Sequence, residues 1–223
     1  MREIVLDTET TGLSPKNGDR LVEIGCIELV NHLPTGEVYH QYINPGMPMP
    51  SEAEEVHGLS DEFLSDKPGF LEIVDGFLCF VGASPLIIHN ASFDLGFINA
   101  ELEKIKRDPL PGSRTIDTVS MARRKFPGSP ASLDALCRRF EIDNSARALH
   151  GALLDAELLA EVYLELIGGR QPGLILATTA SDVSKTRAIE RVIRLPRPHQ
   201  PTVEELTAHA EFIARLKNPM WNK

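Results

Sequence analysis

A chain of 223 residues with a net charge of −9 can bury one sizeable core and keep length for an appendage, but its acidity disfavours phosphate binding through Lys and Arg alone. Its three cysteines, Cys26, Cys79 and Cys137, stand apart in the chain, which argues against a zinc centre or a disulfide framework and fits a reducing cytoplasm. The apolar stretches are too short to cross a bilayer, and the N-terminus lacks the basic-then-apolar layout of a secretion signal.

Hydrophobic patterning predicts strands at 2–7, 21–30 and 37–43, then a turn-rich stretch containing Asn44-Pro45-Gly46, Pro48 and Pro50. Helices are predicted at 60–64 and 70–82, a strand at 86–89, a helix at 91–106 and a strand at 114–117. Three more helices follow at 117–125, 132–140 and 152–167. Three strands followed by alternating helices and strands imply an α/β fold, a mixed sheet with helices on its faces. After Gly168-Gly169 the composition changes. Residues 170–201 are polar, carry four prolines and a basic run from Lys185 to Arg197, and read as a flexible linker with local helix near 182–193. From Thr202 a helix is signalled by the capping-box spacing of Thr202 and Glu205 and by an apolar face of Leu206, Ala210, Ile213 and Leu216. That face suits either packing on the preceding domain or binding a partner's groove, and Trp221 beyond it suits the second.

Three acidic clusters stand out against this background. Asp7-Thr8-Glu9 follows the apolar run Ile4-Val5-Leu6, and side chains two apart point the same way if the strand continues. A carboxylate at the mouth of a buried strand is costly unless it is paired or binds a metal. Asn90-Ala91-Ser92-Phe93-Asp94 follows Leu86-Ile87-Ile88 and opens a helix, where Asn90 or Ser92 is a candidate cap. Asp94 suits a metal ligand and a partner of the helix dipole equally well. In the third cluster His150 and Asp155 are five apart, about 140° around a regular helix. They can share a site only if His150 lies on the preceding loop, for which Gly151 gives freedom, and Asp155 lies in the helix. Four carboxylates and a histidine are the set that two-metal phosphodiester hydrolysis needs: oxygen ligands for hard cations and a base titrating near neutrality.

The ordered set Asp-x-Glu, Asn-x-x-Phe-Asp and His-x-x-x-x-Asp resembles the three motifs of the DEDDh family of 3′–5′ exonucleases. Further likeness lies in Leu6–Gly12, Val56-His57-Gly58-Leu59, Ser132–Cys137 and Leu149–Ala156, which are similar to the proofreading branch of that family in bacterial replication. The likeness covers most of residues 1–170. It implies a ribonuclease-H-like fold and an exonuclease domain over 1–169. It also implies a pair of Mg²⁺ or Mn²⁺ ions held by Asp7, Glu9, Asp94 and Asp155, with His150 as the base. DNA is the implied substrate, entering by a frayed or single-stranded 3′ end. By the same resemblance, Glu52 and His57 approach the terminal sugar or its phosphate, and Thr8–Gly12 with Leu13 cradle the terminal base. Asp7, Glu9, Thr10, Asn90, Phe93 and Asp155 complete the expected substrate contacts. The segment 202–223 is implied to tether the chain to the polymerase catalytic (alpha) subunit, which would reconcile the acidic chain with its acidic substrate. Gln171-Pro172-Gly173-Leu174-Ile175-Leu176 is similar to a sliding-clamp-binding motif, and equally serves as an ordinary linker end. An RNA-trimming exonuclease would share every catalytic residue; the 170–223 appendage speaks against that, and the complete acid set speaks against a mere adaptor.

Overall fold

The computed structural model describes residues 1–145, 147, 149–169 and 200–216. It divides into two units, Met1–Leu174 and Ile175–Lys223. The first is built on a five-stranded mixed sheet in the order β3-β2-β1-β4-β5. Strands β1 (Arg2–Thr10), β2 (Leu21–Val30) and β3 (Leu33–Tyr42) form an antiparallel meander, and β4 (Leu86–Ile88) and β5 (Thr115–Asp117) continue it in parallel from β1.

Strand β3 starts earlier than patterning predicts. Asn31 and His32, both at positive φ (53° and 67°), make a two-residue turn whose twist suits a hairpin. Asn tolerates that backbone, so the strands pair without the usual glycine.

Helices cover both faces. Ile4 and Leu6 of β1 pack with α3 (Phe70–Val81) and α4 (Ala91–Lys104) through Val74, Phe77, Phe97 and Ile98. Val5 and Ile87 pack on the other face with α5 (Thr118–Lys125), α6 (Leu133–Phe140) and α7 (Ala152–Leu166). One face of β1 thus belongs to α4 and the other to α7, which decides where its acids point. Two short helices, α1 (Ser51–His57) and α2 (Asp61–Leu64), lie between β3 and α3. Patterning misses α1 because seven residues with one apolar side chain facing out (Val56) carry no helical period. Its local signals lie at its ends: Pro50 before its first residue, Glu52 and Glu54 in its first turn, and Gly58 (φ 74°) after its last.

In the second unit α8 (Val203–Arg215) opens with the expected capping box. Thr202 N–H donates to Glu205 Oε2 at 2.8 Å, and Glu205 N–H donates to Thr202 Oγ1 at 3.3 Å. Leu206 and Leu216 are exposed, while Ile213 is buried. The segment 182–193, the Gln171–Leu176 motif and Trp221 lie outside the described residues. Among the described residues no helix is long and apolar enough to cross a membrane.

Candidate active site

Strand β1 runs on to Thr10, so Asp7 and Glu9 project from one face, the face of Val5 and α7. Asp7 pairs across the ladder with Gly25. A Cβ on Gly25 would sit 2.4 Å from the backbone of Ala152 and Leu153. Its absence lets the first turn of α7, which carries Asp155, close onto the strand. Asp94, in the first turn of α4, arrives from the other layer just past the end of β4. It is fixed by Thr8, whose Oγ1 donates to Asp94 Oδ1 at 2.7 Å. Carboxylates from three elements therefore gather at the C-terminal ends of β1 and β4, where α/β sheets commonly bind ligands.

Neither candidate caps α4 with its side chain. Asn90 adopts the left-handed conformation (φ 68°) to turn the chain from β4 into the helix, and its N–H donates to Asp117 Oδ1 at 3.0 Å. The hydroxyl of Ser92 is turned toward Asn90 Oδ1 instead.

Burial makes this acid cluster expensive. Asp94 and Asp155 are each only 3% exposed. Asp7 is driven well above the carboxylate range by burial first, then by the charges of Asp94, Glu9 and Asp155. Burial, with Asp155 and Glu23 next, pushes Glu9 up to about 8. Burial likewise pushes Asp94 to about 7, against the opposing hydrogen bond from Thr8. Such a cluster is short of positive charge. Glu9, His150 and Asp155 each offer a ligand atom, all within 4.8 Å of one another. The donors are carboxylate oxygens and one imidazole, all of them ligands for divalent metal ions. The residues present therefore fit a divalent cation.

His150 lies on the loop before α7, as the spacing demands, and its side chain is 46% exposed. Gly151 is not what permits this: its φ of −155° is extended backbone open to any residue. The loop is instead docked on α1. His150 N–H donates to Val56 O at 3.0 Å, and Leu149 fills the space that a Cβ on Gly58 would take, 2.7 Å away. Beside it is a cavity of about 470 Å³ lined by Glu9, Thr10, Leu13, Glu52, His57 and Phe93, among others. Six of the nine expected substrate-contact residues therefore line one cavity, while Asp7 and Asp155 stand in the acid cluster and not in its wall. His57 accepts from Leu59 N–H through Nδ1 at 3.0 Å, and its Nε2 is buried on the side of the Thr10 backbone. Burial lowers its pKa against the pull of Glu23. Asn90 stands apart, lining a separate cavity with His89, Asp117, Arg123 and Ser132.

Two side-chain roles near the acids escape sequence reasoning. Thr8 is expected only within the Thr8–Gly12 cradle for the terminal base, yet its hydroxyl anchors Asp94. Arg147 sits in a polar loop with no motif, yet its guanidinium grips Asp155 with Nε–Oδ1 at 2.5 Å and Nη2–Oδ2 at 2.6 Å. A basic residue three positions before His150 is the only signal it leaves.

Residues 4–163 match the exonuclease family (RNase_T), so in class the chain is an exonuclease. The fold agrees. Exonuclease X in complex with 5′ overhanging duplex DNA superposes with a TM-score of 0.59 at 24% identity, covering 74% of this chain and 90% of that one. The nuclease domain of 3′hExo, a DEDDh family member bound to rAMP, gives 0.64 at 16%, covering 74% and 91%. These neighbours have the ribonuclease-H-like architecture that the mixed sheet implies. In sequence the chain is 52% identical to DNA polymerase III subunit epsilon of Rickettsia conorii over 97% of this chain and 96% of the relative. With the same subunit of Escherichia coli K12 the identity is 44%, over 93% and 90%. The chain belongs to the family of DNA polymerase III epsilon subunits, proofreading exonucleases of DNA replication.

Proposed function

We propose that the chain removes mispaired nucleotides from DNA 3′ ends, with Asp7, Glu9, Asp94 and Asp155 holding two divalent ions, Mg²⁺ or Mn²⁺, and His150 as the base. The observation that carries this reading is the convergence of acids from β1, α4 and α7 beside a cavity of nucleotide size. When bound, such ions activate a water and stabilise the leaving oxygen of an in-line displacement. Asp7, buried amid the other three acids, is the ligand best placed to be shared. His150, exposed on its loop, accepts the proton of the attacking water, and the terminal nucleotide leaves as a 5′-monophosphate. Leu13, 86% exposed at the cavity rim, and Phe93 present apolar surface to the terminal base. Glu52 and His57, both in the cavity wall, approach the terminal sugar or its phosphate. Nothing in this wall prescribes a base, so selectivity comes from fraying: a mispaired end separates more cheaply than a paired one.

The remaining organisation belongs to the same proposal. Residues 1–169 form the exonuclease domain, 170–201 a linker whose Gln171–Leu176 binds the sliding clamp, and 202–223 the tether to the alpha subunit, all in the cytoplasm. The test is a 5′-labelled DNA oligonucleotide beside RNA of the same sequence, with Mg²⁺ or with EDTA. A metal-dependent ladder from the 3′ end, faster on DNA, is expected. Faster trimming of RNA would move the chain to an RNA-processing role, and no ladder on either would reject the catalytic assignment.

A further inference from the structure

Arg147 has a position that the hydrolytic scheme does not use. Its side chain is 8% exposed, and all three of its nitrogens are committed. Nε and Nη2 fork onto the two oxygens of Asp155, and Nη1 donates to Asp134 Oδ1 of α6 at 2.6 Å. Nη2 also lies 2.8 Å from His150 Nδ1. Asp155 Oδ2 lies farther from the same Nδ1, at 3.4 Å. A guanidinium has no acceptor, so in the nearer contact Nδ1 supplies its lone pair and the imidazole proton sits on Nε2. With Arg147 in place, the neutral His150 therefore has no lone pair free for a water proton. Both oxygens of Asp155, meanwhile, face a fixed organic cation.

We propose that Arg147 is a built-in counter-ion that closes the metal-free site, competing with divalent metal for Asp155 and withholding the lone pair of His150 until metal enters. The proposal rests on the reading of Asp155 as a metal ligand. Asp134 is the second half of the device. It is bound to Arg147 independently of the acid cluster and is half-exposed at the margin, so it holds the guanidinium when Asp155 is surrendered. It also neutralises part of a charge that would otherwise repel the incoming ion. Metal entry and release of the base then become one event, and an enzyme without metal keeps its histidine disarmed. Arg147 is thus a positioning residue that acts through Asp155 and His150.

The two halves make opposite predictions for metal affinity, which a merely structural role would not. Mn²⁺ binding is measured without substrate, from the free-ion electron paramagnetic resonance signal, on the full-length chain and two variants. Arg147→Gln is expected to bind Mn²⁺ about tenfold more tightly than wild type, because a competing charge is gone. Asp134→Asn is expected to bind it several-fold more weakly, because the guanidinium is no longer shared. In EDTA, Arg147→Gln should also melt lower, since it leaves buried acids uncompensated. Unchanged or weaker Mn²⁺ binding by Arg147→Gln, or tighter binding by Asp134→Asn, would overturn the proposal. Should Arg147→Gln fail to fold, the sign of the Asp134→Asn effect decides alone. A wild-type chain that binds no Mn²⁺ would remove the metal reading itself, and this inference with it.

Discussion

Asp7, Glu9, Asp94 and Asp155 are a poor solution for folding and a good one for binding cations. Removing carboxylates from water and setting them beside one another costs free energy that a hydrophobic residue would not. The cost has a pH signature. Glu9 and Asp94, pushed to about 8 and about 7, hold protons in the folded state across a range where the unfolded chain, with carboxylates near 4, has lost them. The native state then binds the excess protons, so stability falls as pH rises from about 4 through about 8. In EDTA the melting temperature should therefore drop by several degrees between pH 5.5 and pH 8, and saturating Mn²⁺ should abolish much of that slope. Asp7→Asn should flatten the slope without metal and raise the melting temperature at pH 8, because one of the crowded charges is gone. It should also cut hydrolysis by about a thousandfold or more, as loss of a metal-holding acid would. A destabilised Asp7→Asn would make Asp7 a structural residue and not a ligand.

At the scale of elements, the site depends on how closely α7 approaches β1, and Gly25 sets that distance. Gly25→Ala would drive a methyl into the Ala152-Leu153 backbone, which cannot rotate aside as a side chain can. The expected cost is about 1–3 kcal/mol of stability, as for other overpacked sites. Activity should fall further than stability, because Asp155 moves with the helix; equal loss in circular-dichroism melts and oligonucleotide assays would deny the glycine its positioning role. This dependence also shows what was legible beforehand. The acids of β1 and α4 announce themselves because each follows an apolar run that ends at the sheet's rim, and Asp155 of α7 does so through its spacing from His150. His150 is placed on a loop by arithmetic on 3.6 residues per turn. Gly25 gives no such sign, since its importance lies in a contact with residues 127 positions later. Thr8 and Arg147 are hidden for the same reason: their partners are fixed by tertiary packing. The N-terminal signals of α4 misled because Asn90 spends its conformational freedom on the turn and not its side chain on a cap.

The whole molecule carries a net charge of −9 and acts on a polyanion, so its catalytic unit has little electrostatic reason to find DNA unaided. Bound cations offset the acids locally, over a range no greater than the screening length of about 8–10 Å. Under the proposed tether, delivery comes from another surface, and the second unit has features that suit it. Its helix α8 is defined by its own capping box and exposes Val203, Leu206 and Phe212. An amphipathic helix with unfilled apolar residues is what a groove-binding tether requires. Deleting residues 200–223 should therefore leave the rate on short oligonucleotides within about twofold of the full chain, since no catalytic acid is touched. The same deletion should abolish co-purification with the polymerase alpha subunit and, with it, processive removal of mispaired ends by the assembled enzyme. Retained co-purification would assign the tether to the catalytic unit. Lost hydrolysis of short oligonucleotides would instead make α8 part of the nuclease, and the acidic catalytic unit would then have to reach its substrate through its metals alone.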